Sequence, residues 1–273
     1  MTENINNLVA KAQNGDKWAL EQLVLEVQDQ IYHLSMRMLV DHDAALDATQ
    51  EILIILITKL STFEHGSRFQ TWVYRVATNY LINSKKVQSR EMGLSFPMFG
   101  EMLEAGLDQN AIIDPAPSPD QAVLLNELRI SCTMAMLLCL DLKHRIAYVL
   151  GDILELEHIE AAQILDISPQ NYRKRLSRAR SEVVAFTSNQ CGIANKSAKC
   201  SCPARLPDAI KQGRVDPSNM SYAVSGAPEY ADILQQVTHV VDELKVFKLQ
   251  NATPKFKTPV DLAARISAIV ETT

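Results

Sequence analysis

The most constraining feature of the sequence is a long stretch of helical periodicity near its start. From Lys17 to Leu60 the chain contains neither glycine nor proline. Up to Val40 its apolar residues recur every three or four positions, which is the spacing of one stripe along a helix; they are Leu20, Leu23, Val24, Val27, Ile31, Leu34 and Met38. After a turn at "DHDA", the stretch "ALDATQEILIILITKL" could form a buried strand, but its length and polar beginning favour a second helix.

A third helix is predicted after a break at Gly66. It places apolar residues on one side, so that residues 1–90 are predicted to form an all-helical domain; these residues are Phe69, Trp72, Val73, Val76, Tyr80 and Leu81. Residues 91–119 combine glycine, four prolines and scattered apolar residues without a sustained period, which indicates a flexible acidic linker. A second helical domain is predicted over residues 120–190, followed by a cysteine-rich segment at 191–206 and a helical C-terminal extension at 207–273. The predicted fold class is therefore all-α.

The net charge of −5 hides a segregation of charge along the chain. Residues 1–64 carry four Lys and Arg against ten Asp and Glu, residues 65–90 carry five against none, and residues 91–128 carry none against seven. "SPQNYRKRLSRARSEVVAF" then holds five basic residues and one acidic residue. Two basic islands separated by an acidic segment suggest two surfaces that bind phosphates, although each island could also be a solvated helix face.

The most specific local pattern is "LEHIEAAQILDISPQNYRKRLSRARSEV". A short helix ends at the turn formed by Asp166 and Ile167, and a new helix begins with Ser168 as N-cap and Pro169 at the first helical position. This is the layout of a helix-turn-helix, whose second helix presents its first residues to the major groove. The residues placed to reach base edges are Gln170, Asn171, Arg173 and Lys174, and those placed to reach phosphates are Arg175, Arg178 and Arg180. The alternative is an ordinary α-hairpin with a basic exposed face.

Aromatic and basic residues alternate in the stretch "FEHGSRFQTWVYRVATNYLINSKKVQSR". Aromatic faces stack on unpaired bases while cations follow the phosphate backbone, the usual combination for binding single-stranded nucleic acid. Helical spacing also predicts that Phe69, Trp72 and Val76 are at least partly buried in a core. We therefore expect some of the aromatic side chains to be buried in the core and others to contact nucleic acid. Their positions in the sequence do not show which are which.

Two segments together resemble the extracytoplasmic-function group of bacterial sigma-70 factors. "DATQEILIILITKLSTFEHGSRFQTWVYRVATNYLINSKK" resembles region two of that family, with matches at Asp47, Gln50, Glu51, Phe63, Phe69, Thr71, Trp72, Tyr74, Arg75 and Ala77. "AAQILDISPQNYRKRLSRAR" resembles region four, with Ala-x-x-Leu-x-hydrophobic-Ser followed by Arg-x-x-Arg-Ala-Arg. Both fall in the family's order, and they cover roughly residues 10–190.

The resemblance implies a sigma factor that binds core RNA polymerase and promoter DNA. It implies that core polymerase is bound by Asp47, Gln50 and Glu51. The residues implied for capture and melting of the minus-ten element are Phe63, Arg68, Phe69, Thr71, Trp72, Tyr74, Arg75, Asn79, Lys85 and Lys86. Those implied for the minus-thirty-five element are Ser168, Gln170, Asn171, Arg173, Lys174, Arg175, Arg178 and Arg180. The acidic linker would thread the RNA exit path of the polymerase, and an anti-sigma factor is a further partner to expect.

Two positions depart from the family pattern. Asp166 stands in the turn where the family often has glycine, and Asn83 stands where an aspartate is common. Aspartate tolerates the left-handed conformation better than most residues, so the turn is expected to persist.

The cysteine-rich segment "CGIANKSAKCSCPARL" contains Cys191, Cys200 and Cys202. Three thiolates and a histidine could hold zinc, but Cys-x8-Cys-x-Cys is not a standard finger spacing, so no cofactor is predicted and redox-active or inert thiols remain as alternatives. Cys132 and Cys139 lie in an apolar helix and are predicted to be core. Beyond Pro207, two amphipathic helices are predicted. One has apolar residues at Leu234, Val237, Val241 and Leu244. The other has Thr258 as its cap and Pro259 in its first turn, with apolar residues at Leu262, Ile266 and Ile269.

The N-terminus has no apolar signal core and no stretch is long enough to cross a membrane, so a cytoplasmic protein without membrane insertion is expected. Two rival classes remain open. A helix-turn-helix regulator acting without polymerase would leave the aromatic basic helix and the acidic linker without a purpose. An enzyme acting on nucleic acid would need carboxylates or a nucleophile among the basic residues, and residues 65–90 contain no Asp or Glu. The chain is therefore not predicted to be an enzyme.

Overall fold

Helices account for the regular structure of the described residues, apart from an isolated parallel bridge between Cys191 and Cys200. The structure, a computed structural model, describes residues 5–64, 66–88, 93–108, 110–111, 117–222, 229–238 and 240–263. In chain order the α-helices are α1 Ile5–Gln13, α2 Lys17–Leu39, α3 His42–Lys59, α4 Phe69–Asn83, α5 Lys85–Gln88, α6 Phe96–Ala105, α7 Pro119–Leu138, α8 Leu142–Tyr148, α9 His158–Ile164, α10 Pro169–Gln190, α11 Cys202–Lys211, α12 Tyr230–Thr238 and α13 Asp242–Asn251.

The helices belong to two compact units that do not follow the chain order. The first unit combines α1–α5 with residues 156–173, which hold α9 and the beginning of α10, and with residues 255–263. The second unit contains α6–α8, the remainder of α10 and α11–α13. The all-α fold class predicted from periodicity is confirmed, and both helix-turn-helix helices form as predicted.

The core of the first unit follows the apolar stripe of α2. Val27, Ile31 and Leu34 are buried there together with Ile52 of α3 and Val73 of α4. Polar caps fix where these helices begin. The Asp16 side chain accepts a hydrogen bond from the Ala19 N–H at 3.1 Å and the Asp41 side chain accepts one from the Ala44 N–H at 2.6 Å, so both helices start on a satisfied donor.

The C-terminal end of the described chain packs on α2 within the first unit. The Phe256 N–H donates to His33 Nδ1 at 3.0 Å, and the N–H and hydroxyl of Thr258 both donate to Asp29 Oδ1, at 2.9 and 2.8 Å. The Phe256 ring lies 5.6 Å from the ring of His33 and from the guanidinium of Arg37. These contacts show that Thr258 uses its hydroxyl to bind α2, whereas the sequence predicted it as a helix cap.

The segment predicted as a linker contains a helix. Ser95 caps α6 by accepting a hydrogen bond from the Met98 N–H at 3.4 Å, and Phe99 and Leu103 are buried against Met136 and Phe186. The Phe99 and Phe186 rings stack with their centroids 5.5 Å apart. The buried residues of α6 span only about two turns. An apolar pattern this short cannot be recognised as helical in a segment that also contains glycine and proline.

The C-terminal extension also differs from its predicted pattern. The first amphipathic helix is two helices, α12 and α13, with Val241 as the N-cap residue of α13. The break changes which side faces inward: Ile233 and Val237 of α12 are buried, as are Val246 and Leu249 of α13. The predicted burial is therefore wrong for three residues of the stripe, the exposed Leu234, Val241 and Leu244. Ile266 and Ile269 of the second predicted helix lie outside the described residues.

Candidate nucleic-acid interface

An aromatic cluster stands at the beginning of α4. The ring centroids of Phe63 and Phe69 lie 5.5 Å apart, and the Trp72 ring lies 5.4 Å from Phe63 and 5.7 Å from Phe69. Phe63 and Phe69 are buried, whereas Trp72 is half-buried. Since edge-to-face and offset stacking stabilise such clusters, the two phenylalanines fix the tryptophan in place. Within this cluster, Trp72 is the ring that offers a partly accessible face in this structure.

The next turn of α4 packs against α9. The Thr71 hydroxyl donates to Glu160 Oε1 at 2.7 Å, and Arg75 Nη2 donates to the Gln163 carbonyl oxygen at 3.0 Å. Burial and the nearby Glu160 carboxylate raise the pKa of Tyr74 to about 12. Thr71 is only 3% exposed as a result of this contact. Three residues predicted to bind the minus-ten element therefore face the first helix of the helix-turn-helix.

Glu160 and Gln163 are residues that sequence reasoning missed. Glu160 lies 89 positions after its hydrogen-bond partner Thr71, and no charge pattern in the sequence links the two helices. The contact is also incomplete, since Arg75 Nε is buried without a hydrogen-bond partner. A buried donor without a hydrogen-bond partner costs free energy, more so on a charged group. The contact with α9 therefore leaves one hydrogen bond of Arg75 unmade.

Of the remaining predicted minus-ten residues, the structure describes the side chains of Arg68 and Asn79 but not those of Lys85 and Lys86. Arg68 immediately precedes α4 and is exposed, and Asn79 is exposed further along the same helix. The backbones of Lys85 and Lys86 lie in α5, whereas their side chains lie outside the described part of the chain. An exposed arginine at the start of α4 leaves one cation of this helix open to a phosphate.

The predicted polymerase-binding residues share one face of α3. Asp47, Gln50 and Glu51 are spaced by three and four positions, which brings their side chains together on a helix. Asp47 and Gln50 are half-buried and Glu51 is exposed. The opposite side of α3 carries the buried Ile52 and Leu53, so the packing of α3 against its neighbours orients the polar face outward.

The helix-turn-helix has the geometry that its sequence predicts. Asp166 adopts the left-handed conformation with φ of 51°, which ends α9. The Ser168 hydroxyl accepts a hydrogen bond from the Asn171 N–H at 3.2 Å, so Ser168 caps α10 as predicted. Aspartate tolerates a positive φ better than most residues do, which explains how this turn forms without a glycine.

α10 has a buried side and a polar side. The buried side is formed by Tyr172, Leu176, Ala179 and Val183. The exposed residues include most of the predicted DNA-reading set, namely Ser168, Gln170, Asn171, Arg173, Lys174 and Arg178, while Arg175 is half-buried. An exposed row of donors and cations along one side of a helix matches what a major-groove reading helix requires.

Arg180 is placed differently from its prediction as a phosphate contact. Its Nε donates to both carboxylate oxygens of Asp152, at 3.0 and 2.9 Å, and Asp152 is 5% exposed. A bidentate charge-assisted pair of this kind is strong and geometrically specific. Arg180 therefore holds α10 to the π-helical turn Val149–Ile153, and a phosphate would have to compete with a buried carboxylate for it.

The cysteines are free thiols. Within the described residues, no group of three or more His, Cys, Asp or Glu side chains is placed to hold a metal ion, Cys191, Cys200 and Cys202 included. None of the helices in the described part of the chain is both long enough and apolar enough to cross a membrane.

Two family models match the chain, in the same order as the two predicted DNA-binding segments. Sigma-70 region 2 matches residues 23–91, and Sigma-70, region 4 matches residues 130–183. The ECF RNA polymerase sigma factor SigW of Bacillus subtilis is 30% identical over 176 residues, which cover 64% of this chain and 92% of that protein. The RNA polymerase sigma-H factor of Pseudomonas aeruginosa is 31% identical over 182 residues, covering 66% of this chain and 92% of that protein. A solved structure of CnrH in complex with the cytosolic domain of CnrY aligns with a TM-score of 0.47 and 19% identity, covering 66% of this chain and 95% of that chain.

Proposed function

This chain belongs to the extracytoplasmic-function group of the sigma-70 family, and on that premise we propose that it binds core RNA polymerase and directs promoter-specific initiation of transcription. The observation that supports this most directly is the pairing of two segments, a region 2 with a basic aromatic helix and a region 4 with an exposed reading helix. A regulator that only bound duplex DNA would need the second segment alone. Its part in transcription would be recognition, not catalysis, and it would act in the cytoplasm.

Three surfaces divide the work in this proposal. The polar face of α3, with Asp47, Gln50 and Glu51, binds the polymerase. The α4 helix holds the opened minus-ten strand, with Trp72 as the base-stacking ring. The exposed side of α10 reads the minus-thirty-five element in duplex DNA, with Arg173 positioned for a base edge.

The α4–α9 contact adds a step before DNA binding. In the structure, the Thr71 hydroxyl binds Glu160 and Arg75 Nη2 binds the Gln163 carbonyl, so both groups are engaged within the protein. A carboxylate and a carbonyl oxygen are acceptors, as phosphate oxygens are, and α9 therefore occupies the surface where DNA would bind. We propose that α9 leaves α4 when the protein joins the polymerase. The unsatisfied Nε of Arg75 favours this exchange, because a phosphate can accept from more than one guanidinium nitrogen.

The proposed function is tested with purified protein and core RNA polymerase. The protein is expected to comigrate with the core enzyme and to support run-off transcription from a promoter found by mapping transcript starts after overexpression. A variant with Asp47, Gln50 and Glu51 changed to alanine is expected to lose comigration. Glu26→Ala is the matched control, because Glu26 is an exposed acid on a different helix, α2.

The outcome distinguishes this function from its rival. Binding to duplex DNA with no association with core polymerase would identify a helix-turn-helix regulator instead. Loss of core binding in the Glu26→Ala control as well would mean that α3 carries no specific docking face. An anti-sigma factor stays a prediction from the family resemblance.

A further inference from the structure

Four of the five cysteines line one small cavity in the second unit. Cys132 comes from α7, Cys191 follows the end of α10, Cys200 lies just before α11, and Cys202 is the first residue of α11. The cavity has a volume of about 40 Å³ and is otherwise lined mostly by apolar side chains. The remaining cysteine, Cys139, lies outside it. Nothing in promoter recognition requires this grouping, so the cavity calls for a separate explanation.

Two of the four thiols belong to directly paired backbone positions. Cys191 and Cys200 are the partners of the isolated parallel bridge, and the Gly192 N–H donates to the Cys200 carbonyl oxygen at 2.8 Å. Paired β backbones lie about 4.8 Å apart, which falls within the range of about 4.4–6.8 Å between Cα atoms that a disulfide requires.

Gly192 is required for the close approach of these two backbones. A Cβ at this position would stand 2.6 Å from the Cys200 carbonyl oxygen, a distance that a side chain cannot adopt. Any other residue would therefore push residues 191 and 200 apart. The glycine keeps the two thiols at neighbouring positions.

The cavity also contains an unsatisfied cation. Arg129 is 2% exposed; its Nε donates to Asn126 Oδ1 at 2.9 Å and its Nη2 to the Ala252 carbonyl oxygen at 2.8 Å, but Nη1 has no hydrogen-bond partner. A buried donor without a partner destabilises the fold unless an anion forms beside it. A cysteine thiolate in the cavity would be that anion, since positive charge stabilises thiolates.

Cys191 has more groups beside it that stabilise a thiolate than Cys200 has. Burial raises its pKa, but the N–H groups of Ala194 and Ile193 and the charge of Arg129 oppose that rise. Cys200 lacks these two backbone donors, and burial raises its pKa to about 11 although the charge of Arg205 lowers it. Because Cys191 shares the cavity with the Arg129 guanidinium and has these two N–H donors beside it, we take Cys191 as the attacking sulfur and Cys200 as the one that completes the bond.

We propose that Cys191 and Cys200 form a reversible dithiol–disulfide site that reacts with hydrogen peroxide. The Cys191 thiolate attacks one peroxide oxygen, the O–O bond breaks, and the departing hydroxide takes up a proton to leave as water. Cys191 is then a sulfenic acid. The Cys200 sulfur attacks Cys191 Sγ, the S–O bond breaks, and a second water leaves as the S–S bond forms. Two thiols together lose two electrons and two protons, and one peroxide is reduced to two waters.

The disulfide would tie the end of α10 to the beginning of α11. It closes the short loop 191–200 and so restrains the carboxyl end of the helix that reads DNA. Metal binding is the other common use of clustered cysteines, but in the described residues no three such side chains are placed for it. The structure thus favours a bond between two thiols over coordination by three or four.

The test uses the full-length protein with hydrogen peroxide as the oxidant. The number of thiols titrated after denaturation is expected to fall from five to three, and dithiothreitol should restore five. Trypsin cuts after Lys196 and Lys199, which are exposed between the two cysteines. The peptide containing Cys191 should therefore remain joined to the peptide that begins at Cys200 only in the non-reduced digest.

Single substitutions assign the pair, because Cys200 and Cys202 share one tryptic peptide. Cys202→Ser should still form the linked peptides, whereas Cys191→Ser and Cys200→Ser should not. Cys139→Ser is the matched control and should lose two of its four remaining thiols. A disulfide that persists in Cys200→Ser, a thiol count that stays at five, or stepwise oxidation to sulfinic acid without a linkage would each overturn the proposal.

Discussion

Replacing Glu160 with alanine is the most direct test of the covered α4 surface. The substitution removes the acceptor of the 2.7 Å hydrogen bond from Thr71 and leaves the Arg75 contact with the Gln163 carbonyl in place. A hydrogen bond to a charged group contributes about 1.5 to 3 kcal/mol. Since about 1.4 kcal/mol is a factor of ten, the contact between α4 and α9 should weaken by roughly 10- to 150-fold.

The assay measures how tightly the free protein binds single-stranded DNA. A labelled mixed-sequence oligonucleotide is titrated with wild-type protein and with Glu160→Ala, in the absence of polymerase and at one fixed salt concentration, because binding to phosphates depends on salt. The apparent affinity should rise in proportion to the fraction of molecules in which α9 has left α4. The gain stops once that fraction approaches one, so the measured increase is a lower limit on the weakening of the contact.

Glu157→Ala is the matched control for this measurement. It removes the same charge immediately before the same helix, but Glu157 is exposed and makes no side-chain capping bond. An equal rise in both variants would reveal a general effect of reduced negative charge. Unchanged affinity in Glu160→Ala would refute the covering role of α9, provided that thermal unfolding shows the variant to be folded.

Four further changes probe separate parts of the molecule. Trp72→Ala should impair promoter opening, seen as loss of permanganate reactivity in the bubble, while comigration with core polymerase persists. Arg173→Ala should weaken promoter binding by about 1 to 3 kcal/mol and relax the preference at one base pair, whereas a uniform loss over all sequences would mean a phosphate contact. Arg180→Ala should lower the free energy of unfolding by about 1 to 3 kcal/mol, measured by urea denaturation, because it leaves the buried Asp152 unpaired, and DNA affinity should change little. Burial, helped by Arg37 and Lys255, lowers the pKa of His33 to about 3, below its unfolded value of about 6.5, so the unfolded chain binds the extra proton. The stability from neutral His33 should therefore be complete above about pH 6.5 and fall by up to about 1.4 kcal/mol per unit between about pH 6.5 and about pH 3, and His33→Asn should flatten that dependence.

The sequence predicts local structure well wherever a single helix determines it. The α2 stripe, the Ser168 cap and the left-handed Asp166 each follow from residues within a few positions of one another. The π-helical turn and the short helix α6 are not predicted, because neither continues a helical pattern of apolar residues for long enough.

The parts of the site that the sequence does not predict depend on contacts between distant segments. Charge alone marks Arg180 as a phosphate ligand, yet its partner Asp152 lies 28 positions away and becomes visible only once the helices pack. Cys132 lies 59 positions before Cys191, and only the packing of α7 against the end of α10 brings both to one cavity. Spacing within the cysteine-rich segment therefore could not indicate a four-thiol cavity.

The size of the α4–α9 contact sets what the polymerase must do. Two hydrogen bonds join the predicted minus-ten residues Thr71 and Arg75 to α9. Arg75 Nε has no hydrogen-bond partner in this contact. Two hydrogen bonds of this kind contribute a few kcal/mol, so we expect an open form as a minor population. A partner can shift such an equilibrium only by binding the open form more tightly than the closed one. Core polymerase would meet that condition if it binds the α3 face and the helix-turn-helix at separate places, because α9 cannot then stay on α4. The acidic side chain of Glu160 would thus keep the basic helix from unproductive contacts with nucleic acid until polymerase is bound.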